Sequence, residues 1–109
     1  MRGLILAMAV LLAGVATTTV AAAVPEFHLL LQSHQFQPAT LKVPANVRFK
    51  VLVTNRNTMP SEFESTDFNR EKIVLPDSTV TVFIGPLKPG TYKFFDDFHQ
   101  ATTGTLVVE

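Results

Sequence analysis

Short apolar runs with a period of two, separated by turn triplets, are the feature that most constrains the fold of this chain. The clearest run spans residues 47–53, where every second side chain is apolar. This alternation predicts a strand with one face in a core. The triplets Pro44-Ala45-Asn46, Pro76-Asp77-Ser78 and Lys88-Pro89-Gly90 combine a proline, which fixes φ, with residues that suit tight turns. The pattern therefore predicts an all-β domain.

The same pattern predicts about seven short strands, at residues 27–32, 40–43, 47–53, 71–75, 79–84, 91–95 and 103–108. Residues 58–69 lack a clear period, and we expect a loop or a short helical turn there. So many short strands in one small domain predict a two-sheet sandwich with Greek-key connections. Loops carried on a rigid sandwich are where functional sites usually lie.

The N-terminus is typical of a secretory signal peptide at residues 1–23. Arg2 precedes an apolar run, and small residues follow up to Ala23. Threonines at positions 17–19 interrupt the run before it reaches the roughly 20 apolar residues of a membrane-spanning helix. The alternative is an uncleaved N-terminal anchor. We expect residues 24–109 to form one exported domain in the periplasm, with no membrane span after cleavage.

Composition excludes several kinds of chemistry. The chain has no cysteine, which removes thiolate nucleophiles, zinc-thiolate sites and iron–sulfur clusters. It carries nine basic and nine acidic side chains, and the basic residues are scattered rather than grouped. Nucleic acid is therefore not an expected partner, because its binding requires a basic patch or stripe.

The C-terminal segment carries a resemblance to a known family. Its matching positions are Gly90, Tyr92, Phe94, His99 and Gly104. They resemble the cupredoxin ligand loop, in which a strand of the form G-x-Y-x-F leads to a cysteine, a histidine, a methionine and then a glycine that opens the last strand. Asp96 stands at the position of the cysteine and Thr102 at that of the methionine. The resemblance thus implies a cupredoxin-like domain over residues 24–109 without the sulfur ligands of blue copper.

The upstream half of the chain is also similar to small periplasmic cupredoxins. Residues 36–45 resemble their F-x-P-x-x-L-x-V-P opening, and Val53-Thr54-Asn55 resembles their V-x-N segment. Ser61 occupies the position of the family's first histidine. The blocks at residues 69–74 and 85–99 resemble the cupredoxin-like component of bacterial ferrous-iron uptake systems. That resemblance implies two protein partners, a second periplasmic metal-binding protein and an inner-membrane iron permease.

The candidate metal ligands follow from this loop and from the chemistry of the remaining donors. Carboxylate and imidazole groups suit Cu(II), Fe or Mn better than Cu(I). We therefore expect a copper or iron ion to be bound by Glu62, Asp96 and His99, with Met59 and Glu64 as further candidates. The neighbouring Asp97 is expected to point to the opposite side of the strand.

Two readings of the function stay open at this point. The first is a metal-binding accessory protein in iron uptake or metal homeostasis, with a ferroxidase-like step as an open question. The second is a metal-free sandwich that serves as a protein-interaction or structural module, since a fold does not determine a function. His28 and His34 are expected to be structural, and Phe98 could shield a metal bound beside it.

Overall fold

The computed structural model describes residue 3, residues 7–18 and residues 23–109. These residues contain nine strands and no helix: β1 (Glu26–Gln32), β2 (Gln35–Gln37), β3 (Thr40–Val43), β4 (Phe49–Asn55), β5 (Ser61–Ser65), β6 (Arg70–Val74), β7 (Ser78–Ile84), β8 (Gly90–Asp96) and β9 (His99–Val108). The predicted signal peptide, residues 1–23, lies partly outside the described residues. Within the described part of the chain, no helix is long and apolar enough to cross a membrane.

The strands form two mixed sheets that pack face to face. One sheet has the order β2-β1-β4-β7, and the other has the order β3-β9-β8-β5-β6. β1 pairs in parallel with β4, and β3 pairs in parallel with β9, whereas the remaining pairs are antiparallel. The predicted all-β sandwich is confirmed.

Two strands were not expected from the sequence. The expected loop or helical turn at residues 58–69 is wrong, because β5 lies there and pairs with both β6 and β8. Its inward residues include Ser61 and Ser65, so the apolar alternation that marks the other strands is hidden. Ser65 is stabilised in the core because its hydroxyl donates to the Lys93 carbonyl at 2.6 Å. The second unexpected strand, β2, is only three residues long and follows a two-residue turn.

The strand expected at residues 47–53 begins two residues later, at Phe49. Asn46 adopts a left-handed conformation with φ 61°, and its amide donates to the Leu87 carbonyl. The turn therefore extends past Val47, which is 42% exposed rather than buried. From Phe49 onward the expected alternation holds, and the odd-numbered side chains of β4 face the core.

A cluster of phenylalanine rings fills the core below the loops that carry the candidate site. Phe94 lies 4.9 Å from Phe36 and 5.3 Å from Phe63, measured between ring centroids. Gly104 of β9 makes this packing possible, because a Cβ at that position would lie 2.2 Å from the Phe94 ring. The β8–β9 hairpin is therefore closely packed against the core at this end of the sandwich.

Candidate metal centre

Asp96 is the last residue of β8 and the most deeply buried acid of the site, with 1% of its surface exposed. Its Oδ1 accepts hydrogen bonds from the backbone amides of Glu62, at 2.9 Å, and Phe98, at 3.0 Å. These bonds connect the β8–β9 turn to the start of β5. One oxygen of this carboxylate therefore has a structural role, and only Oδ2 is left for a ligand.

His99 is held by a hydrogen-bonded chain that fixes its tautomer. The Thr102 hydroxyl donates its single proton to the His34 carbonyl at 2.6 Å. The hydroxyl oxygen must then accept the 2.8 Å hydrogen bond that links it to His99 Nδ1. A neutral His99 consequently carries its proton on Nδ1 and a free lone pair on Nε2. Metal-ligating histidines are commonly fixed in this way by a partner on the second ring nitrogen.

These groups line a small cavity at the loop end of the sandwich. Its volume is about 80 Å³, and its lining residues are His34, Asn57, Met59, Pro60, Ser61, Asp96, Phe98 and His99. Met59 and Phe98 form an apolar rim, with 64% and 53% of their surfaces exposed. The cavity thus combines two imidazoles, one thioether and one carboxylate with a hydrophobic border.

A separate group of carboxylates lies on the opposite, solvent-facing side of the sheet. One ligand oxygen from each of Glu62, Glu64 and Asp97 lies within 4.8 Å of the other two. Partial desolvation, followed by the negative charges of Asp97, Glu62 and Glu71, raises the pKa of Glu64. The side-chain amide of Gln100 donates a hydrogen bond to the Asp97 carboxylate at 3.1 Å. We refer to Glu62, Glu64 and Asp97 as the carboxylate cluster.

The structure therefore divides the predicted ligands into two sets. Asp96, His99 and Met59 line the cavity, whereas Glu62 and Glu64 belong to the carboxylate cluster. The division follows from strand alternation, because the Ser61 side chain faces inward and that of Glu62 faces outward. Asp97 points away from Asp96, as expected.

Two cavity residues were not singled out as functional from the sequence. His34 was expected to be structural, yet its ring stacks on His99 with centroids 4.2 Å apart and planes inclined by 18°. Asn57 accepts a 3.2 Å hydrogen bond from the His34 amide through Oδ1. Neither role has a local sequence signal, because the stack depends on how the β1–β2 turn meets the start of β9, and the Asn57 contact depends on how that turn meets the β4–β5 loop. His28, in contrast, is exposed beside Glu26 and lies outside the cavity.

The donors in the cavity fit some metal ions and not others. A blue-copper centre requires a thiolate, and the chain has no cysteine. The Asp96 side chain at that position uses one oxygen for backbone hydrogen bonds. Imidazole nitrogen and thioether sulfur are nevertheless good donors for copper. His99 Nε2, the Met59 sulfur and Asp96 Oδ2 are the atoms that would hold such an ion.

Comparisons with known proteins agree with this architecture, which defines the chain as a cupredoxin-fold β-sandwich. A family model for the cupredoxin-like domain matches residues 4–108. The chain belongs to this cupredoxin-like domain family. An uncharacterised protein of Rickettsia prowazekii (strain Madrid E), RP394, is 36% identical over 83 residues, which cover 76% of this chain. The chain spans 66% of the length of that relative.

Solved structures share the fold at low sequence identity. The metal-binding domain of the Streptococcus pneumoniae D39 Cu(I)-exporting P-type ATPase CopA, a structure with Cu(I), superimposes with a TM-score of 0.71 at 10% identity. The match covers 84% of this chain and 91% of that domain. A purple cupredoxin from Nitrosopumilus maritimus gives a TM-score of 0.60 at 18% identity, covering 75% and 98% of the two chains. These likenesses establish the fold.

Proposed function

We propose that this chain is a periplasmic cupredoxin-like protein that binds copper in the His99 cavity and acts as an accessory in iron uptake or metal homeostasis. One observation carries the proposal: the hydrogen bond from Nδ1 to Thr102 leaves His99 Nε2 free in a cavity that also contains Met59 and Asp96. Membership of the cupredoxin-like family supports it. Cu(I) in the CopA domain of the same fold supports the choice of metal.

Each cavity residue has a distinct part in this proposal. His99 Nε2 is the principal ligand because its ring is held by the Thr102 hydroxyl. The Met59 thioether favours the softer Cu(I) state, whereas the Asp96 carboxylate favours Cu(II). Phe98 and Pro60 restrict solvent access at the rim. A bound copper ion would supply a site for one-electron chemistry, and no thiolate is present to give it blue-copper character.

The carboxylate cluster is the second candidate site. Oxygen ligands suit harder cations than copper, and three carboxylate oxygens from separate residues already lie within 4.8 Å of one another. Desolvation, followed by the negative charges of Asp97, Glu62 and Glu71, raises the pKa of Glu64, and a cation there would offset the charge repulsion. Iron as Fe(II), or manganese as Mn(II), is the proposed ion for this site.

The cellular setting is proposed from sequence features. The signal-peptide pattern of residues 1–23 supports export to the periplasm. The resemblance of residues 69–74 and 85–99 to the cupredoxin-like component of ferrous-iron uptake systems supports a role beside a second periplasmic metal-binding protein and an inner-membrane iron permease.

Calorimetric titration of the demetallated protein with Cu(II), Fe(II), Mn(II) and Zn(II) tests the proposal. We expect one copper ion per chain, with at least a tenfold loss of affinity in His99→Ala. His28→Ala is the matched control, because His28 is exposed and lies outside the cavity. Copper binding that is indifferent to His99→Ala would reject the cavity as the site.

The same titration separates the remaining candidates. Fe(II) or Mn(II) binding that is lost in Glu64→Gln and retained in His99→Ala would identify the carboxylate cluster as the functional site. If none of the four ions binds, the metal-free interaction or structural module becomes the better account of this domain. A pull-down with the exported protein as bait would then be the next measurement.

A further inference from the structure

The turn between β1 and β2 has an unusual backbone for its residues. Gln32 pairs with Gln35, so the hairpin is closed by only two residues, Ser33 and His34. Both have positive φ, at 53° and 56°. Two-residue turns with positive φ at both positions strongly favour asparagine and glycine, because a Cβ is disfavoured there. The fold keeps a serine and a histidine in a conformation that neither prefers.

Three contacts outside the hairpin hold His34 in place. Its amide donates to Asn57 Oδ1 at 3.2 Å, and its carbonyl accepts from the Thr102 hydroxyl at 2.6 Å. Its ring lies nearly parallel to that of His99, with centroids 4.2 Å apart. Backbone groups of any residue could make the first two contacts. The third contact requires an aromatic ring at this position.

His34 and His99 are connected by both their rings and their hydrogen bonds. The His34 carbonyl directs the Thr102 hydroxyl, and that hydroxyl accepts from His99 Nδ1. The His34 ring then covers one face of the His99 ring. The lone pair of an imidazole lies in the plane of its ring, so a bound ion must lie close to that plane. Two parallel stacked rings have separate planes, and one ion cannot lie close to both. This geometry opposes a role for His34 as a second ligand to the same ion.

We propose that His34 is a positioning residue, whose stacked ring and carbonyl hold the His99 imidazole with Nε2 free for a metal ion. The inference rests on the proposed copper site, because the orientation of His99 is expected to determine how tightly that site binds copper. Neighbouring groups that orient the ligands of a metal typically change its affinity by about 10–100-fold when they are removed. The stack is one such group, and the Thr102 hydroxyl is another.

Variants at position 34 separate stacking, ligation and backbone effects. With Cu(II) as the probe on the full chain, we expect about tenfold weaker binding in His34→Ala. His34→Phe keeps an aromatic ring without a donor nitrogen, and we expect its affinity to stay within about twofold of the wild type. His34→Gly lacks the ring but suits the positive φ of this residue, so its loss should match that of His34→Ala.

A second readout is independent of metal. In the metal-free protein the stacked His34 ring shifts the NMR signals of the His99 ring protons, and this shift should persist in His34→Phe and disappear in His34→Ala and His34→Gly. When the imidazole is neutral, its ring nitrogens should report the Nδ1–H tautomer. Thr102→Val should shift that population toward Nε2–H, because the isosteric side chain cannot accept the hydrogen bond.

The outcomes decide the proposal in each case. Equal weakening by His34→Phe and His34→Ala would mean that His34 is a ligand, and the positioning role would be rejected. Normal affinity in His34→Gly beside weak binding in His34→Ala would attribute the effect to the backbone and also reject it. If the wild type binds no copper while the ring shifts follow the expected pattern, the positioning role stands and the proposed copper function fails.

Discussion

The structural and ligand roles of Asp96 can be separated by comparing two substitutions. Asp96→Ala removes the acceptor of two backbone amides, those of Glu62 and Phe98, in a position with 1% exposure. Leaving a buried amide unsatisfied costs about 1–3 kcal/mol, and these two hydrogen bonds are partly buried, so we expect a loss of about 2–4 kcal/mol in the free energy of unfolding. This is a large fraction of the roughly 5–15 kcal/mol that stabilises a domain.

Asp96→Asn keeps a carbonyl oxygen that can accept both hydrogen bonds. Its cost comes from replacing charge-assisted bonds by weaker neutral ones, and we expect about 1–2 kcal/mol. Its copper affinity should nevertheless fall, because the amide NH₂ group that replaces Oδ2 is a poor metal ligand.

Urea unfolding of the metal-free proteins measures the first effect, provided that the slope of the transition is the same in all three. An Asp96→Ala midpoint equal to that of the wild type would refute the argument that Oδ1 organises the turn. Equal destabilisation by the two substitutions would also refute it, because asparagine retains the acceptor.

Three further effects are expected. Gly104→Ala should lower the free energy of unfolding by about 1–3 kcal/mol through overpacking, since its Cβ would lie 2.2 Å from Phe94; Phe94→Leu in the same chain should recover part of that loss in urea unfolding. Ser65→Ala should cost about 1–2 kcal/mol, because its hydroxyl bonds the Lys93 carbonyl, whereas the exposed Thr66→Ala should be neutral. Glu64→Gln should stabilise the protein at neutral pH, because the pKa of Glu64 is raised in the folded state and its ionisation therefore disfavours folding. This advantage should shrink as the pH falls through the raised pKa and vanish below the ordinary pKa of glutamate; an unfolding midpoint that differs equally from the wild type at pH 4 and pH 8 would contradict it.

The fold could be predicted from the sequence because most strands place large apolar side chains inward. In β4 the inward residues include Phe49, Val51 and Val53, which are nearly fully buried. β5 was not predicted as a strand, because two of its three inward residues are serines rather than large apolar residues. The burial of Ser65 is stabilised by the hydrogen bond from its hydroxyl to the Lys93 carbonyl, which no hydrophobic pattern reveals.

The failure to recognise β5 also explains why the predicted ligand set was divided. In a loop at residues 58–69, Glu62 and Glu64 would be free to reach His99. As members of a strand whose Phe63 is buried, they must face the other side of the sheet. Asp96 and His99 were grouped in the prediction, and the structure pairs them across the β8–β9 turn in one cavity. His34 could not be found in this way, because its contact with His99 joins residues that are far apart in the sequence.

The two positions at which the cupredoxin resemblance expects sulfur ligands both carry hydrogen-bonding residues that organise the site. Asp96 connects the β8–β9 turn to β5 by accepting hydrogen bonds from two backbone amides. Thr102 connects His99 to the β1–β2 turn through the hydrogen bonds of its hydroxyl. Side-chain hydrogen bonds thus hold the loops without requiring an ion. Binding of an ion to such a preorganised site should stabilise the fold only by mass action, as set by its concentration and affinity. The metal-free protein should therefore unfold cooperatively, and the His99 loop should already have its folded arrangement before any metal is added.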